Sequence, residues 1–311
     1  MDILSLILTV LGLCVFEAVS SIDNAVINAE VLGTMKPWAR RWFLLWGFLA
    51  AVVLVRGLLP FLIVWASNPA LGAWGAITAT FSSDPRVLAA VEASAPILLM
   101  GGGIFLLFLF FHWLFLEDKH FGLWGERFFR NQSVWFFAVA SLILTVLIWL
   151  ALKENPLMAF GAAVGSSAFF ITHGFKEQAH KGEATLLKEV HSDISKILYL
   201  EVLDATFSID GVLGAFAFTL SVPLILLGNG LGAYIVRKFT ISNIHHIKKY
   251  IYLKNGAMYS ILFLGSVMVL ESFGVHIPAF VSPVITFLTI GYFFLKSHKV
   301  IKKLGGALPT V

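Results

Sequence analysis

Long apolar runs separated by short polar segments recur along the whole chain, beginning at Ile3. Each run approaches the length of about 20 residues that a helix needs to cross the hydrocarbon core of a bilayer. The runs are continuously apolar and lack the alternation of a transmembrane β-barrel, so they predict helices. The predicted fold is an all-α polytopic membrane protein with about nine transmembrane helices. The predicted spans are 3–33, 42–66, 96–116, 134–152, 157–172, 197–220, 222–238, 256–271 and 279–295.

The distribution of basic residues predicts the orientation, because cytoplasmic loops are enriched in Lys and Arg. If the N-terminus lies outside, 19 of the 22 Lys and Arg residues fall in cytoplasmic loops. Only Arg86 and Lys153 fall outside, and Arg56 lies within a span. We therefore predict a multi-pass protein with its N-terminus on the outer side of the membrane and its C-terminus in the cytoplasm.

The longest polar stretch, 173–196, is rich in Lys, Glu and His and divides the chain. We predict a first membrane half at 1–172, a cytoplasmic linker at 173–196 and a second membrane half at 197–311. The composition agrees, since 59% of the residues are hydrophobic and 13% are charged, against about 25% charged in a soluble domain. The net charge of +4 follows from the basic loops, so membrane lipid is the expected partner and nucleic acid is not.

Two segments, one in each half, resemble each other and carry acidic residues within predicted spans. The first acidic motif, 17–25, reads Glu-Ala-Val-Ser-Ser-Ile-Asp-Asn-Ala, and the second, 201–211, reads Glu-Val-Leu-Asp-Ala-Thr-Phe-Ser-Ile-Asp-Gly. In both, an acid lies six positions before the Asp of a Ser-Ile-Asp sequence. The predicted topology makes the copies antiparallel, which is typical of transporters with an inverted internal repeat and a substrate site near the midplane.

Acidic residues inside a membrane need compensation, because each charge near the bilayer centre costs about 2.5–3.5 kcal/mol. A proton, an Arg partner or a bound cation can supply it, and Arg56 can neutralise only one acid. The candidate ligands of a cation are Glu17, Asp23, Asn24, Glu201, Asp204 and Asp210. Ser21 and Ser208 are candidates for supporting hydrogen bonds, and Arg56 is a candidate counter-ion.

Helix geometry leaves two arrangements open for these acids. Residues six apart on a straight helix point about 120° away from each other, so Glu17 and Asp23 do not share a face. Either the helices unwind locally at the Ser-Ile-Asp sequences, or Glu17 and Asp204 face the ion while the other acids form hydrogen bonds around them.

Carboxylate, hydroxyl, amide and carbonyl oxygens are the donors that hard cations such as Mn²⁺, Ca²⁺ and Mg²⁺ prefer. Neither motif contains His, and Cys14 is the single thiol, so Zn²⁺ and Cu⁺ fit less well. Repulsion between clustered carboxylates also favours proton binding, and no P-loop sequence is present to bind ATP. An ion gradient or the membrane potential is therefore the expected driving force. Glycines at 101–103 and Gly265 predict close helix packing.

These motifs make the chain similar to the TerC family of integral membrane proteins. Residues 17–25 resemble the first motif of that family, residues 201–210 its second motif, E-x-x-D-x-x-F-x-x-D, and residues 101–106 its Gly-Gly third helix. The resemblance implies a bacterial inner-membrane protein linked to export of manganese or other divalent metals and to tellurite-resistance loci. The wider superfamily includes LysE-type exporters. The region of His112-Trp113, the polar linker and Asp210-Gly211 depart from the typical member and indicate a divergent branch.

The expected function is thus export of a divalent cation, with Mn²⁺ as the first candidate, Ca²⁺ or Mg²⁺ as alternatives, and protons as candidate coupling ions. We expect neither enzymatic activity nor a resident cofactor. A LysE-like amino-acid exporter is one alternative, although Arg56 is its only apparent carboxylate-binding residue. A non-transporting assembly or stress-resistance factor would need more intramembrane bases. An intramembrane aspartyl protease would use Asp23 and Asp210, but its Gly-x-Gly-Asp sequence is missing.

Overall fold

The computed structural model describes residues 3–58, 62, 65, 72, 85–188, 192–247 and 249–303. No β-strand occurs in this part of the chain, which confirms the all-α prediction for it. The helices are α1 Ile3–Ser20, α2 Ile22–Gly33, α3 Pro37–Trp42, α4 Phe48–Ala50, α5 Pro85–Leu116, α6 Glu126–Asn131, α7 Phe136–Glu154, α8 Pro156–Lys188, α9 Asp193–Ala215, α10 Val222–Ile247, α11 Leu253–Ser272 and α12 Val281–Lys303. Two π-helical segments, Phe43–Gly47 and Ala51–Leu58, flank α4, and a 3-10 turn, Ser133–Trp135, precedes α7.

Six helical segments in the described ranges are long and apolar enough to cross a membrane. They are Ile3–Ser20, Ser94–Leu116, Ser133–Glu154, Pro156–Gln178, Leu253–Ser272 and Val281–Lys303. The class of multi-pass membrane protein is therefore supported, but three of the nine predicted spans, 42–66, 197–220 and 222–238, are not among the six. Charged and polar residues dilute the apolar content of the last two, and the first extends beyond the described residues.

The predicted linker contains helical residues at both ends. Residues 173–188 continue α8 beyond the predicted span 157–172, and α9 begins at Asp193. Residues 189–191, between these helices, lie outside the described residues. Helix α8 therefore does not end where the polar stretch 173–196 begins. Residues 173–188 belong to the same helix as the apolar residues before them.

Glycines bring α5 into close contact with two neighbouring helices. A β-carbon on Gly165 of α8 would lie 2.0 Å from the carbonyl oxygen of Gly101 in α5. On another side of α5, a β-carbon on Gly103 would lie 3.0 Å from the carbonyl oxygen of Gly265 in α11. The glycines at 101–103 and 265 thus allow close backbone approach, as the sequence predicts.

The order of contacts between α5 and α11 defines their relative direction. Gly103 lies beside Val269, whereas Leu106, further along α5, lies beside Gly265, which is earlier in α11. The two helices are therefore antiparallel, which agrees with the directions expected for the third and eighth predicted spans.

We expect Gly165→Ala to destabilise the fold, because the added β-carbon would overlap the backbone of α5. Overpacking of this kind typically costs about 1–3 kcal/mol. The matched control is Gly174→Ala in the same helix, where nothing lies within 4 Å of the added β-carbon. The measurement is the free energy of unfolding of each purified variant in detergent micelles. Equal stabilities for the two variants would contradict the close packing of α5 and α8.

Candidate functional site

The first acidic motif lies at an interruption between α1 and α2. Ser21 separates the two helices with φ −87° and ψ 3°, a sparsely populated region in which many active-site residues are found. Backbone hydrogen bonds continue on both sides, from Ser21 N to Glu17 O at 3.1 Å and from Ala25 N to Ser21 O at 2.9 Å. The predicted irregularity is therefore present as a local distortion. The second motif lies in the uninterrupted helix α9, so of the two motifs only the first shows the irregularity expected in at least one of them.

The two motifs contact each other directly. Asn24 Nδ2 donates a hydrogen bond of 2.5 Å to Asp204 Oδ1. Gly211 lies against Glu17, since a β-carbon on Gly211 would be 2.4 Å from Glu17 Oε2. Moving forward along the first motif thus means moving backward along the second, so the two motifs run antiparallel.

The same order continues beyond the motifs. Lys196 Nζ, near the start of α9, donates to Thr34 Oγ1 just after the end of α2, at 2.9 Å. The backbone N–H of Lys36 donates to Asp193 Oδ1 at 3.3 Å. The chain from Glu17 to Lys36 therefore packs antiparallel to α9.

Helix α10 packs against the first motif through a Gly-x-x-x-Gly sequence. A β-carbon on Gly228 would lie 2.4 Å from Leu13 Cβ, and one on Gly232 would lie 2.7 Å from Glu17 Cβ. The order of these contacts shows that α10 runs parallel to α1. Between the two glycines, the fully buried Asn229 donates from Nδ2 to the carbonyl oxygen of Gly211 at 3.3 Å. Asn229 thus links α10 to the second motif.

A small cavity of about 30 Å³ lies between α2, α9, α10 and the helical segment 43–48. Its polar lining consists of Ser21, Asn24, Asn28, Asp204 and Arg237, and its apolar lining includes Phe43 and Phe48. Asn24 and Asn28 are 4% and 8% exposed, and the Oδ1 atom of each has no hydrogen-bond partner within the described part of the chain. The cavity therefore presents a carboxylate, amide oxygens, a hydroxyl and a guanidinium to one small space.

In each motif, the acid six positions before the Asp of the Ser-Ile-Asp sequence is buried. Glu17 is 0% exposed and accepts a hydrogen bond from Ser21 Oγ at 2.9 Å, and Asp204 is 7% exposed. Asp204 lines the cavity, whereas Glu17 lies beside Ser21 at its edge and is not part of the lining. Among the described residues, no three His, Cys, Asp or Glu side chains lie close enough to hold one metal ion. Asp23 and Arg56 have side chains outside the described residues.

Asp210 is held by a base that the sequence did not identify. Lys176 Nζ of α8 forms a salt bridge with Asp210 Oδ2, and both side chains are 13% exposed. Asp210 is therefore paired within the protein and does not line the cavity. Ser208, predicted to support the site, donates instead to the carbonyl oxygen of Asp204 in its own helix at 2.6 Å.

Glu201 lies on another side of α9, against the π-helical segment 43–47. A β-carbon on Gly47 would be 1.9 Å from Glu201 Oε1, so only glycine leaves space for this carboxylate. Asp204 and Arg237 are the charged groups that act on Glu201 most strongly. π-Helical segments are frequent at functional sites. The segment 43–47 contacts Glu201 and also contributes Phe43 to the cavity lining.

Sequence reasoning missed Lys176, Arg237 and Asn28. The predicted linker includes Lys176, although no proline interrupts residues 157–188 and a continuous helix is therefore compatible with the sequence. Arg237 and Lys238 end the predicted span 222–238 and are counted with the basic cytoplasmic loops, but the Arg237 guanidinium packs on the rings of Phe43 and Phe48, with centroids at 4.3 and 5.6 Å. Asn28 lies one helical turn after Asn24, and this i, i+4 spacing is the signal that could have found it.

These features define an all-helical, multi-pass membrane protein with a small polar cavity between two antiparallel acidic motifs. Residues 22–303 match the model of a family described as protein of unknown function (DUF475), and the chain belongs to that family. No curated protein and no solved structure matches the chain significantly.

Proposed function

We propose that this protein transports a divalent cation, with Mn²⁺ as the first candidate, through the cavity between its acidic motifs. The observation that carries the proposal is the pairing of Asn24 with Asp204 beside the buried Glu17. The Asp204 carboxylate, two amides and the Ser21 hydroxyl line the cavity and supply the oxygen donors that Mn²⁺, Ca²⁺ and Mg²⁺ prefer, and Glu17 lies at its edge beside Ser21. We include Asp23 and Glu201 as further candidate ligands, and we assign Asp210 to an ion pair.

The directions of the helices support an inverted-repeat transporter. The first motif runs antiparallel to α9 and parallel to α10, which is the alternation expected if α9 and α10 also cross the membrane. A helix of 23 residues such as α9 is about 35 Å long at 1.5 Å per residue, enough to cross the hydrocarbon core. Because polar residues in membrane helices usually face the bundle interior, a low apolar content is compatible with spans that line a pathway. On this proposal the count of about nine spans stands.

The cellular location and the direction of transport also belong to the proposal. The distribution of basic loops supports an N-terminus outside a bacterial inner membrane and a C-terminus in the cytoplasm. The resemblance of both acidic motifs to those of the TerC family supports metal export as the direction of transport. Repulsion between clustered carboxylates supports coupling to protons.

An amino-acid exporter is a second candidate, and Arg237 is the observation that favours it. A guanidinium and the carboxylate of Asp204 line the same cavity, and together they could bind the carboxylate and ammonium groups of a zwitterion. The assembly-factor alternative is disfavoured by the sequence because few intramembrane bases are apparent in it. The ion pair of Lys176 with Asp210 supplies one such base and weakens that objection.

Flux measurements with the purified protein in phosphatidylethanolamine–phosphatidylglycerol vesicles test the proposal. We expect Mn²⁺ flux into these vesicles to be at least about tenfold faster than into protein-free vesicles. Other divalent cations that prefer oxygen ligands should compete with Mn²⁺. The variant Arg237→Gln separates the two transport candidates. Removing a positive charge from the cavity should maintain or raise Mn²⁺ flux, because the guanidinium repels a cation. Lysine flux in the wild type that this variant abolishes would support the amino-acid exporter and contradict cation transport.

A further inference from the structure

Two histidines from neighbouring helices meet at one end of the bundle. The imidazole rings of His112 in α5 and His173 in α8 have centroids 3.9 Å apart and planes inclined by 54°. Gly101 lies beside Gly165 further back along the same helices, so α5 and α8 run parallel and reach this end together. On the predicted topology it is the cytoplasmic end.

Aromatic rings enclose the pair. Phe136 of α7 packs edge-on against His112 with centroids 5.5 Å apart, and Phe169 stacks on His173 at 5.8 Å with nearly parallel planes. His112 is 8% exposed. Since electrostatic interactions are stronger in an apolar enclosure than in water, a charge on this pair would act strongly on its neighbours.

A carboxylate lies on the loop side of the pair. Glu117 Oε1 is 3.7 Å from His112 Nδ1, and its other oxygen, Oε2, is 2.6 Å from Lys254 Nζ of α11. Burial alone would raise the pKa of Glu117, but Lys254 and His112 together hold that pKa well below its usual range. Glu117 is therefore an anion at neutral pH and can stabilise a protonated imidazole.

The second acidic motif lies on the other side of the pair. Lys176, one helical turn after His173, forms the salt bridge with Asp210. The charged groups that act most strongly on His173 are Glu177 and Lys176 of its own helix and Glu117 after α5, besides His112 itself. Titratable groups therefore follow one another from Glu117 through the two histidines and Lys176 to Asp210.

We propose that the His112–His173 pair binds a single proton and is the site at which proton binding is coupled to transport. Two imidazolium ions at this separation would repel each other, so the pair holds one proton, stabilised by Glu117. A positive charge on the pair repels the ammonium of Lys176 and so acts on the ion pair in the second acidic motif. This inference rests on the proposed function only for its coupling role, because proton binding is measurable without transport.

The coupling role is tested by Mn²⁺ flux between pH 5 and 8, the range in which histidine ordinarily changes its charge. We expect wild-type flux to change about tenfold over this range, and the flux of His112→Gln and His173→Gln to change less than about twofold. The control is His298→Gln, at an exposed position of α12, which should keep the wild-type profile. A wild-type profile in both pair variants, or a wild-type flux that does not depend on pH, would overturn the coupling role.

Proton binding itself is tested by nitrogen NMR of the purified protein carrying ¹⁵N-labelled histidine in detergent. We expect His112 and His173 to share one proton in a single step, and each single variant to shift the titration of the remaining ring. Two independent steps, or rings that stay neutral from pH 5 to 8, would overturn the proposal. If the wild type showed no Mn²⁺ flux, the proposed function would fail while this titration still decided whether the proton site exists.

Discussion

Asp204→Asn is expected to reduce Mn²⁺ flux at least about tenfold, which corresponds to about 1.4 kcal/mol of lost interaction with the ion. Asp204 is the described carboxylate that lines the cavity, and an amide keeps an oxygen there but removes its charge. Because a divalent cation that has lost part of its water needs anionic oxygen, the loss of charge should matter more than any change of shape.

The stability of the same variant should stay close to that of the wild type. Asn nearly matches Asp in size, and its Oδ1 can still accept the hydrogen bond that Asn24 donates. Removing a buried negative charge also lowers the cost of placing α9 in the membrane. We expect Glu17→Gln to behave in the same way, since glutamine can still accept from Ser21.

The matched control is Asp193→Asn at the start of the same helix. Asp193 accepts a hydrogen bond from the backbone of Lys36 in an exposed setting, away from the cavity, so this variant should keep wild-type flux. Wild-type flux in Asp204→Asn would contradict a carboxylate site. If the variant lost both its flux and about 3–5 kcal/mol of stability, Asp204 would instead have a structural role, because breaking a buried pair has that cost.

The contact between the two acidic motifs could be predicted from the sequence because the repeat preserves both residue type and spacing. Equal spacing in antiparallel helices aligns Asn24 with Asp204 and Glu17 with Gly211. The close packing at glycines 101–103 and 265 was predictable in the same way, since small residues within long apolar runs are typical of contacts between membrane helices.

The partners of individual charges could not be predicted. Lys176 lies 34 positions before Asp210, and no local pattern shows that α8 and α9 bring them together. Arg237 ends an apolar run, which is the usual position of an interfacial residue, and only the packing of the segment 43–48 shows that its guanidinium lines the cavity. Helix α9 also falls below the apolar content of the six candidate spans, because several of its polar residues contact other helices.

Glu126 illustrates the same limit, and its replacement is expected to have the largest effect on stability. It lies in a polar loop of the sequence, yet it is 1% exposed. Its Oε2 accepts from the backbone N–H of Gly122 at 2.7 Å and from Asn255 Nδ2 at 3.0 Å. Its Oε1 accepts from the backbone N–H of Leu123 at 3.0 Å and from Tyr259 Oη at 3.1 Å. One carboxylate therefore satisfies four donors and joins the loop after α5 to α11.

We expect Glu126→Ala to lower the free energy of unfolding by about 3 kcal/mol or more, because each buried donor left unsatisfied costs about 1–3 kcal/mol. Glu126→Gln should lower the free energy of unfolding by less, since the glutamine oxygen can still accept from two of the donors. Its NH₂ group would face the other two donors. The control is Asp118→Ala in the same loop. Asp118 is 96% exposed in its pair with Arg130, and surface pairs of this kind contribute about 0–1 kcal/mol.

Denaturation of the three variants in mixed detergent micelles measures these differences. The expected order of stability is Asp118→Ala close to the wild type, then Glu126→Gln, then Glu126→Ala. Since the loop that Glu126 anchors also carries Glu117, we expect the NMR titration of His112 and His173 to change in Glu126→Ala and to remain unchanged in Asp118→Ala. An alanine variant at Glu126 that is as stable as the wild type would show that the four donors find other partners, and that the loop does not depend on this carboxylate.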